Sequence, residues 1–467
     1  MAPRKKTVHF VSLGCPKNRV DSEVMLGVAA RAGYSLADEP ESADVIVVNT
    51  CGFIGEAKKE SVDTIFEMAE WKEHGACKKL VVSGCLSQRY PGELQSEMPE
   101  VDHFLGSSDM LKLESILKGT GERMMVGNPA DYVMRASDPR VVTQSTVSAY
   151  VKMAEGCNRT CAFCTIPEFR GKQRSRGLED IVREAENLVA QGVLEIDLIS
   201  QDSMAYGRDL RDLPKDGRPT LADVIERVAD IKGVHWVRPF YLYPEVMDDK
   251  LVELLAQHPR VTRYVDMPLQ HASDAMLKRM RRGHGLDRQK RVVERLRKEI
   301  PGLSFRTAFI VGHPGETDED FKELTDFVAW ARFEHMGVFR FSDEESAQSF
   351  ALADKVPART AASRYRKLMT MQRKISREAN QLLLGQEVEV LVEGVSEEHE
   401  FVMKGRHQGQ APEVDGSVFL SGGDAEPGQI RRVRIDQASD YDLVGELLDE
   451  APAPKKRARV SLNVLTA

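Results

Sequence analysis

The sequence lacks long apolar runs and any excess of positive charge, and aromatic residues make up only 6% of it. No stretch approaches the ~20 apolar residues that a membrane-spanning helix needs. The N-terminus, MAPRKKTVHF, is basic but has no apolar core typical of a secretion signal. The net charge of −8 argues against a protein that binds nucleic acid over a large part of its surface. We therefore expect a cytoplasmic protein with no membrane partner.

Cysteine is also scarce, with seven residues in 467, but three of them fall in one short run, EGCNRTCAFC. Disulfides are disfavoured in the cytoplasm, so spaced cysteines there indicate metal or redox chemistry. A 4Fe-4S cluster normally has four cysteine ligands, and a C-x3-C-x2-C run leaves one iron open to a reactant. The alternative is a zinc site or three buried thiols, but zinc sites prefer C-x2-C pairs and four ligands. The run resembles the motif of radical S-adenosylmethionine enzymes, in which the cofactor binds the open iron. This motif consists of Cys157, Cys161 and Cys164.

A second group of cysteines stands at strand ends in the first 120 residues. Three strand-like runs, TVHFVSLGC, ADVIVVNTC and KKLVVSGC, alternate with helical segments, the first from about Asp21 to Ala32, and so predict parallel βαβ units. Ligands gather at the carboxyl ends of such strands. We predict a second 4Fe-4S cluster here; the alternative is a cysteine nucleophile with two accessory thiols. The predicted ligands are Cys15, Cys51 and Cys85, each beside a glycine, whereas Cys77 precedes its strand and is expected at the opposite edge.

The rest of the chain predicts two further domains. Six strands alternate with helices between residues 147 and 384, which indicates an open (β/α)6 barrel with its site at the strands' carboxyl ends. Five short alternating strands in 385–450 predict a small antiparallel β-barrel. The predicted division is 1–120 for the first domain, 121–146 for a linker, 147–384 and 385–450 for the other domains, and 451–467 for a mobile tail.

Several segments together resemble the methylthiotransferase family from about residue 7 to residue 449. LGCPKNRVDSEVM is similar to the N-terminal cluster domain of that family, EGCNRTCAFCTIP to its radical domain, and the C-terminal barrel to a TRAM domain. LISQDSMAYG, MPLQHASDAMLKRMRRG and FRTAFIVGHPGETDEDF resemble the class that modifies an aspartate of small-subunit ribosomal protein twelve. Two departures are His313, where the family has an aromatic residue, and the absence of a glycine near Ser346.

The resemblance implies an enzyme that inserts a methylthio group at the β-carbon of that aspartate. It implies two 4Fe-4S clusters, one S-adenosylmethionine for radical generation, another as methyl donor, and an electron donor of flavodoxin or ferredoxin type. No catalytic residue is expected beyond the cluster ligands. Candidate contacts to S-adenosylmethionine are Phe163, Arg306, Gly312 and Gly315, for which packing or turn geometry is the alternative explanation.

Charge distinguishes the expected protein substrate from transfer RNA, the substrate of the other class in this family. Residues 386–450 contain 16 Asp and Glu against 5 Lys and Arg, a net charge of −11. A domain that binds RNA needs Lys and Arg to neutralise phosphates, whereas an acidic domain attracts a basic ribosomal protein. Transfer RNA is therefore the less favoured substrate. A non-enzymatic Fe–S protein with a nucleic-acid-binding module is a further alternative, and it would need a basic barrel.

Overall fold

Residues 5–143, 147–244, 247–398 and 400–448 are described by the computed structural model. The predicted tail, 451–467, lies outside these ranges, as do residues 144–146 of the predicted linker. Within the described ranges, no helix combines the length and the apolar character that a membrane span requires.

The first domain is built on a six-stranded parallel sheet in the order β2-β1-β3-β4-β5-β6. Its central strand β3 is buried at every position, as expected for a parallel sheet covered on both faces. The strands are β1 (Thr7–Ser12), β2 (Ser35–Leu36), β3 (Val45–Thr50), β4 (Lys79–Gly84), β5 (His103–Leu105) and β6 (Met124–Met125). The helices are α1 (Pro16–Arg31), α2 (Gly55–His74), α3 (Cys85–Arg89), α4 (Pro91–Glu97) and α5 (Leu113–Lys118).

Two predictions for this region need correction. Helix α1 begins at Pro16 rather than near Asp21, because proline at the first helical position loses no hydrogen bond. Strand β6 lies inside the segment 121–146 that was predicted as a linker, and it pairs with β5. Two residues are too few to show a strand periodicity, so the sequence pattern missed it.

The second domain contains the six predicted strands in two parallel sheets, β7-β10-β11 and β12-β13-β14, linked by a bridge between Val237 and Val261. The predicted open partial barrel is therefore confirmed. The strands are β7 (Ser148–Lys152), β8 (Ala154–Glu155), β9 (Arg174–Ser175), β10 (Glu195–Ile199), β11 (Trp236–Pro239), β12 (Tyr264–Asp266), β13 (Ser304–Val311) and β14 (His335–Arg340). The helices are α6 (Ile166–Arg170), α7 (Leu178–Ala190), α8 (Leu221–Ala229), α9 (Asp249–Gln257), α10 (Asp274–Arg279), α11 (Leu286–Glu299), α12 (Asp318–Ala331) and α13 (Ala358–Gln381).

The third domain is a closed five-stranded barrel in the order β15-β16-β17-β19-β18. A fully antiparallel barrel was predicted, but β17 and β19 run parallel. Because β18 pairs with β15, the last strand fills the gap between β17 and β18 and takes the direction of β17. The strands are β15 (Glu387–Val395), β16 (Met403–His407), β17 (Val418–Ser421), β18 (Ile430–Ala438) and β19 (Leu443–Leu447).

The three domains are joined by buried polar contacts. Arg140 binds Glu23 of α1 at 2.6 Å and Glu184 of α7 at 2.5 Å, and all three side chains are buried. Residues 406–416 of the third domain extend against the amino-terminal ends of the partial-barrel strands. There the Tyr264 hydroxyl donates to Asp415 at 2.6 Å, and the Ser304 hydroxyl donates to the Gly409 carbonyl at 2.8 Å.

Candidate active site

Strands β1, β3 and β4 are adjacent in the first sheet, so the loops that follow them meet at one edge. Cys15 is the residue before α1, Cys51 follows β3 directly, and Cys85 is the first residue of α3. The structure therefore brings these three cysteines together. Cys77 precedes β4 and its thiol donates to the Lys79 carbonyl at 3.4 Å, at the opposite edge of the sheet as expected.

Glycine allows the three loops to approach one another. A Cβ on Gly14 would lie 2.9 Å from the Cys51 Cβ, and one on Gly52 would lie 2.8 Å from the Cys85 backbone. Gly14 and Gly84 also have positive φ, at 91° and 102°, where a side chain is strained. The close approach of the three loops thus depends on glycine at these positions.

The second cysteine group lies in the loop after β7 and β8, at the carboxyl end of the partial barrel. Cys157 is buried, while Cys161 and Cys164 are half-buried. The loop is held on both sides through Ala162, whose N–H donates to the Met280 carbonyl at 3.0 Å and whose carbonyl accepts from Ser349 N–H at 2.8 Å. The short antiparallel pair β8–β9 closes the loop at its base.

Two arginines that sequence reasoning missed contact the cysteines. Arg282 donates to the Cys161 sulfur at 3.3 Å. Arg170, six residues after Cys164 in sequence, donates to the Cys85 sulfur at 3.3 Å and to Asn18 at 2.5 Å. Arg170 therefore joins the second cysteine loop to the first cysteine group, and the two groups are neighbours in space.

A buried charge network fixes this arrangement between the domains. Lys152 of β7 binds Asp21 of α1 at 2.5 Å and also binds Glu155, and Arg170 lies 2.8 Å from Asp21. Asn18 and Asp21 lie in the family-like segment LGCPKNRVDSEVM, and Arg282 lies in MPLQHASDAMLKRMRRG. Nothing in the spacing of these segments indicated the contacts.

The buried thiols have raised pKa values, which disfavour a role as free nucleophiles. Burial raises the pKa of Cys85 to about 12, although the Arg170 guanidinium opposes the shift, and burial raises the pKa of Cys164 to about 12 and that of Cys157 to about 11. Thiols with such values are protonated at neutral pH unless a metal displaces the proton. No group of three His, Cys, Asp or Glu side chains in the described ranges is arranged to hold a single metal ion. Each of the two cysteine groups offers three thiols, and an arginine N–H group is directed at a sulfur in each. This arrangement fits an iron–sulfur cluster, because a cluster holds its ligands farther apart than a single metal ion does.

The four candidate contacts to S-adenosylmethionine differ in placement. Phe163 packs on Met276, Met280 and Ile310 beside the cysteine loop. Arg306 lies near the amino end of β13. Its guanidinium forms ion pairs with Asp266 at 3.0 Å and with Asp415 at 3.6 Å.

The two glycine candidates lie in a turn whose geometry explains them without a ligand. Gly312 and Gly315 have φ of 79° and 82°. A Cβ on Gly312 would lie 2.5 Å from Ala361, and the Gly312 N–H donates to Glu316. His313 beside them is buried, packs edge-on against Phe341 and forms a hydrogen bond with the Ser349 hydroxyl at 2.7 Å. Its ring therefore packs where the family has an aromatic residue.

Comparison with known proteins gives the family. The chain is 68% identical over 451 residues, 96% of its own length and 92% of the relative's, to the ribosomal protein uS12 methylthiotransferase RimO of Sorangium cellulosum. It is 49% identical to the protein of that name from Myxococcus xanthus, over 97% of this chain and 94% of that one. The chain belongs to the RimO family. The predicted family and enzyme class, a radical S-adenosylmethionine methylthiotransferase, are thereby confirmed.

Family profiles match each part of this RimO family member. Residues 7–106 match the uncharacterized protein family UPF0004, 151–328 match the Radical SAM superfamily, and 384–448 match the TRAM domain. A solved structure of the radical S-adenosylmethionine methyltransferase TsrM from Kitasatospora setae, with cobalamin and a [4Fe-4S] cluster bound, matches with a TM-score of 0.51. The match is 15% identical over 72% of each chain. At that identity the likeness shows a common fold alone.

Proposed function

We propose that this protein inserts a methylthio group at the β-carbon of an aspartate in ribosomal protein uS12, in the cytoplasm. The observation that carries the proposal is the adjacency of two groups of three cysteines, joined by Arg170, in a chain with the family identity given above. A radical reaction that ends in sulfur insertion needs both a radical source and a sulfur source within reach of one substrate carbon.

In this proposal the cofactors are S-adenosylmethionine and two 4Fe-4S clusters. Cys157, Cys161 and Cys164 hold one cluster, and Cys15, Cys51 and Cys85 hold the other. When bound, these groups supply a radical that abstracts hydrogen from an unactivated carbon, together with the sulfur and the methyl group of the product.

The protein itself holds the cysteine loops in place. Ala162 fixes the second loop between Met280 and Ser349, and Arg282 and Arg170 donate to cysteine sulfur atoms. Hydrogen bonds to cluster sulfurs are one of the protein's means of setting a cluster's potential. The buried Lys152–Asp21 pair keeps the two domains at a fixed separation.

The substrate assignment has an electrostatic basis as well as the family identity. The third domain is strongly acidic, and electrostatic complementarity steers association with a basic protein such as a ribosomal one. The same charge disfavours transfer RNA. The electron donor in this proposal is a small flavodoxin-type or ferredoxin-type protein.

Mass spectrometry tests the substrate. Deleting the gene should remove a methylthio mass shift from uS12 and leave transfer RNA unchanged. A shift that disappears from transfer RNA instead would contradict the proposal.

Iron analysis tests the ligands. Anaerobic reconstitution should give about eight irons per chain, and replacing either group of three cysteines with Ala should leave about four. Cys77→Ala is the matched control, because Cys77 lies at the other edge of the sheet, and it should retain all the iron. A value near four in the unmodified protein would eliminate the second cluster.

A further inference from the structure

Lys17 is a buried cation with no ion-pair partner among the residues that the structure describes. It lies in the first turn of α1, two residues after Cys15, and is 6% exposed. Its ammonium nitrogen sits 3.1 Å from the centre of the Tyr241 ring. Within the described ranges, no carboxylate lies at ion-pair distance from it. A buried ammonium is costly unless it is paired, and a ring face offsets only part of that cost.

The nearest carboxylates are already bound by other cations. Burial lowers the pKa of Lys17 to about 8, whereas Cys15, Asp266 and Glu155 are close enough to favour its charge. Asp266, however, accepts from Arg306 at 3.0 Å and from the Tyr241 N–H at 3.0 Å, and Glu155 is bound by Lys152. The positive charge of Lys17 thus stays available to a ligand.

The residue whose ring lies beneath Lys17, Tyr241, has a strained backbone conformation. Tyr241 follows β11, at the carboxyl end of the partial barrel, and has a φ of 60°. A bulky residue rarely adopts positive φ, and such strain persists where the surroundings impose it, often at functional sites. Here the Asp266 carboxylate fixes the Tyr241 N–H, and the Tyr241 carbonyl accepts from Ser203 N–H at 3.3 Å.

The helix that carries Lys17 adds to the positive potential. The start of α1 has no side-chain cap and no acidic residue in its first turn. The first N–H groups of a helix carry a partial positive charge. Lys17, these N–H groups and Cys15 therefore face the carboxyl end of the barrel, where Tyr241 and the second cysteine loop lie.

We propose that Lys17 binds the side-chain carboxylate of the substrate aspartate. The assignment rests on the proposed function, in which the reacting carbon is directly bonded to that carboxylate. Binding of the carboxylate by Lys17 fixes the β-carbon next to Cys15 and the second cysteine loop, and it selects aspartate over a neutral side chain of the same size. Lys17 is a substrate-binding residue in this role.

Lys17→Met tests the assignment, because Met fills a similar volume, packs well on an aromatic ring and carries no charge. The probes are recombinant uS12 and its variant with Asn at the target aspartate, titrated against reconstituted enzyme. Loss of a charge-assisted hydrogen bond changes affinity roughly 10- to 100-fold. The original enzyme should prefer Asp over Asn by that factor, and the K17M enzyme should bind both proteins equally, at the weaker level.

Controls separate this role from a structural one. K17M should keep about eight irons, since Lys17 contributes no ligand, and K59M, which removes a lysine whose side chain is 75% exposed on α2, should behave like the unmodified enzyme. K17R keeps the charge and should keep part of the preference, so a K17R enzyme without any preference overturns the assignment even if K17M fails to fold.

Three further outcomes overturn it. A K17M enzyme that retains the preference for Asp over Asn removes Lys17 from recognition. A K17M enzyme that loses affinity for S-adenosylmethionine alone assigns Lys17 to the cofactor's carboxylate. An unmodified enzyme that binds neither form of uS12 refutes the proposed function and this assignment with it, whereas the first two outcomes leave the proposed function intact.

Discussion

Glu195 joins the partial barrel to the third domain through a buried ion pair with Arg406. It begins β10, is fully buried, and accepts hydrogen bonds from two buried arginines. Its Oε1 accepts from Arg238 of β11 at 2.9 and 3.0 Å, and its Oε2 accepts from Arg406 of β16 at 2.5 Å. Glu195→Gln keeps the shape but removes the charge that both guanidiniums share.

The expected cost follows from what each partner retains. Arg406 keeps Glu393 at 2.7 Å and the Gln410 carbonyl at 2.9 Å, and Arg238 keeps the Gln408 carbonyl at 3.0 Å. Removing one member of a buried ion pair costs about 3–5 kcal/mol. Since both arginines keep partners, we expect about 3 kcal/mol of lost stability for E195Q.

The neighbouring carboxyl of Asp197 is coupled to the charge of Glu195. Burial and the negative charge of Glu195 raise the pKa of Asp197 well above its ordinary value. In E195Q the opposing charge is gone and Arg238 lies 3.6 Å away, so the pKa of Asp197 should fall and its carboxylate should replace part of the lost pairing. The double variant E195Q/D197N removes this compensation and should lose about 5 kcal/mol.

Trp236 reports on this interface directly. It lies next to Arg238 on β11, is 4% exposed, and packs with Leu391 of the third domain. With Trp71 and Trp330 replaced by Phe, the fluorescence of Trp236 follows separation of the third domain in urea. Equal midpoints for E195Q and the unmodified chain, or for E195Q and the double variant, would refute the electrostatic argument.

Three further predictions concern the loops around the cysteines. Burial lowers the pKa of His313 to about 4. Between that pH and the unfolded value near 6.5 the unfolded state binds more protons, so stability falls as pH falls. His313→Phe should abolish this loss, which is roughly 2.5 kcal/mol between pH 7 and pH 4.5 in urea titrations. Arg282→Met removes a donor to the Cys161 sulfur and should shift that cluster's potential to a more negative value in an EPR-monitored titration, whereas Arg281→Met, an exposed neighbour, should not. Gly84→Ala places a Cβ 2.4 Å from the Asn49 oxygen and should reduce bound iron to about four, whereas Gly33→Ala, with a similar φ but open space, should not. Unchanged pH dependence, potential or iron content would contradict the respective argument.

The alternation of strands and helices and the placement of the cysteines were predictable because each depends on local sequence pattern. Short β-branched runs alternating with helices predict a parallel sheet, and a cysteine directly after such a strand lies at its carboxyl edge wherever that strand sits. This reasoning gave the fold class, which the comparisons confirm, and the two cysteine groups, whose role as ligands stays a prediction.

Contacts made by long side chains across domains were not predictable. Nothing in the sequence distinguishes Arg170, which reaches Cys85, from Arg174, whose guanidinium donates to nearby carbonyls. Arg306 stays a prediction as a cofactor contact, but its pairing with Asp266 and with Asp415 of the third domain was not predictable from the sequence. The parallel pair in the third barrel also depends on how the barrel closes, which strand periodicity does not encode.

Residues 406–416 of the third domain contact both of the domains that carry the cysteine groups. Glu413 binds Arg19 on the helix that carries Cys15 and Lys17, at 2.9 Å. A chain cut after Gly385 would keep all seven cysteines yet expose the Tyr264 hydroxyl and the Arg238–Glu195 pair to water. The third domain is thus not a detachable module for capturing substrate, and transplanting it onto another enzyme would carry away part of this enzyme's own architecture.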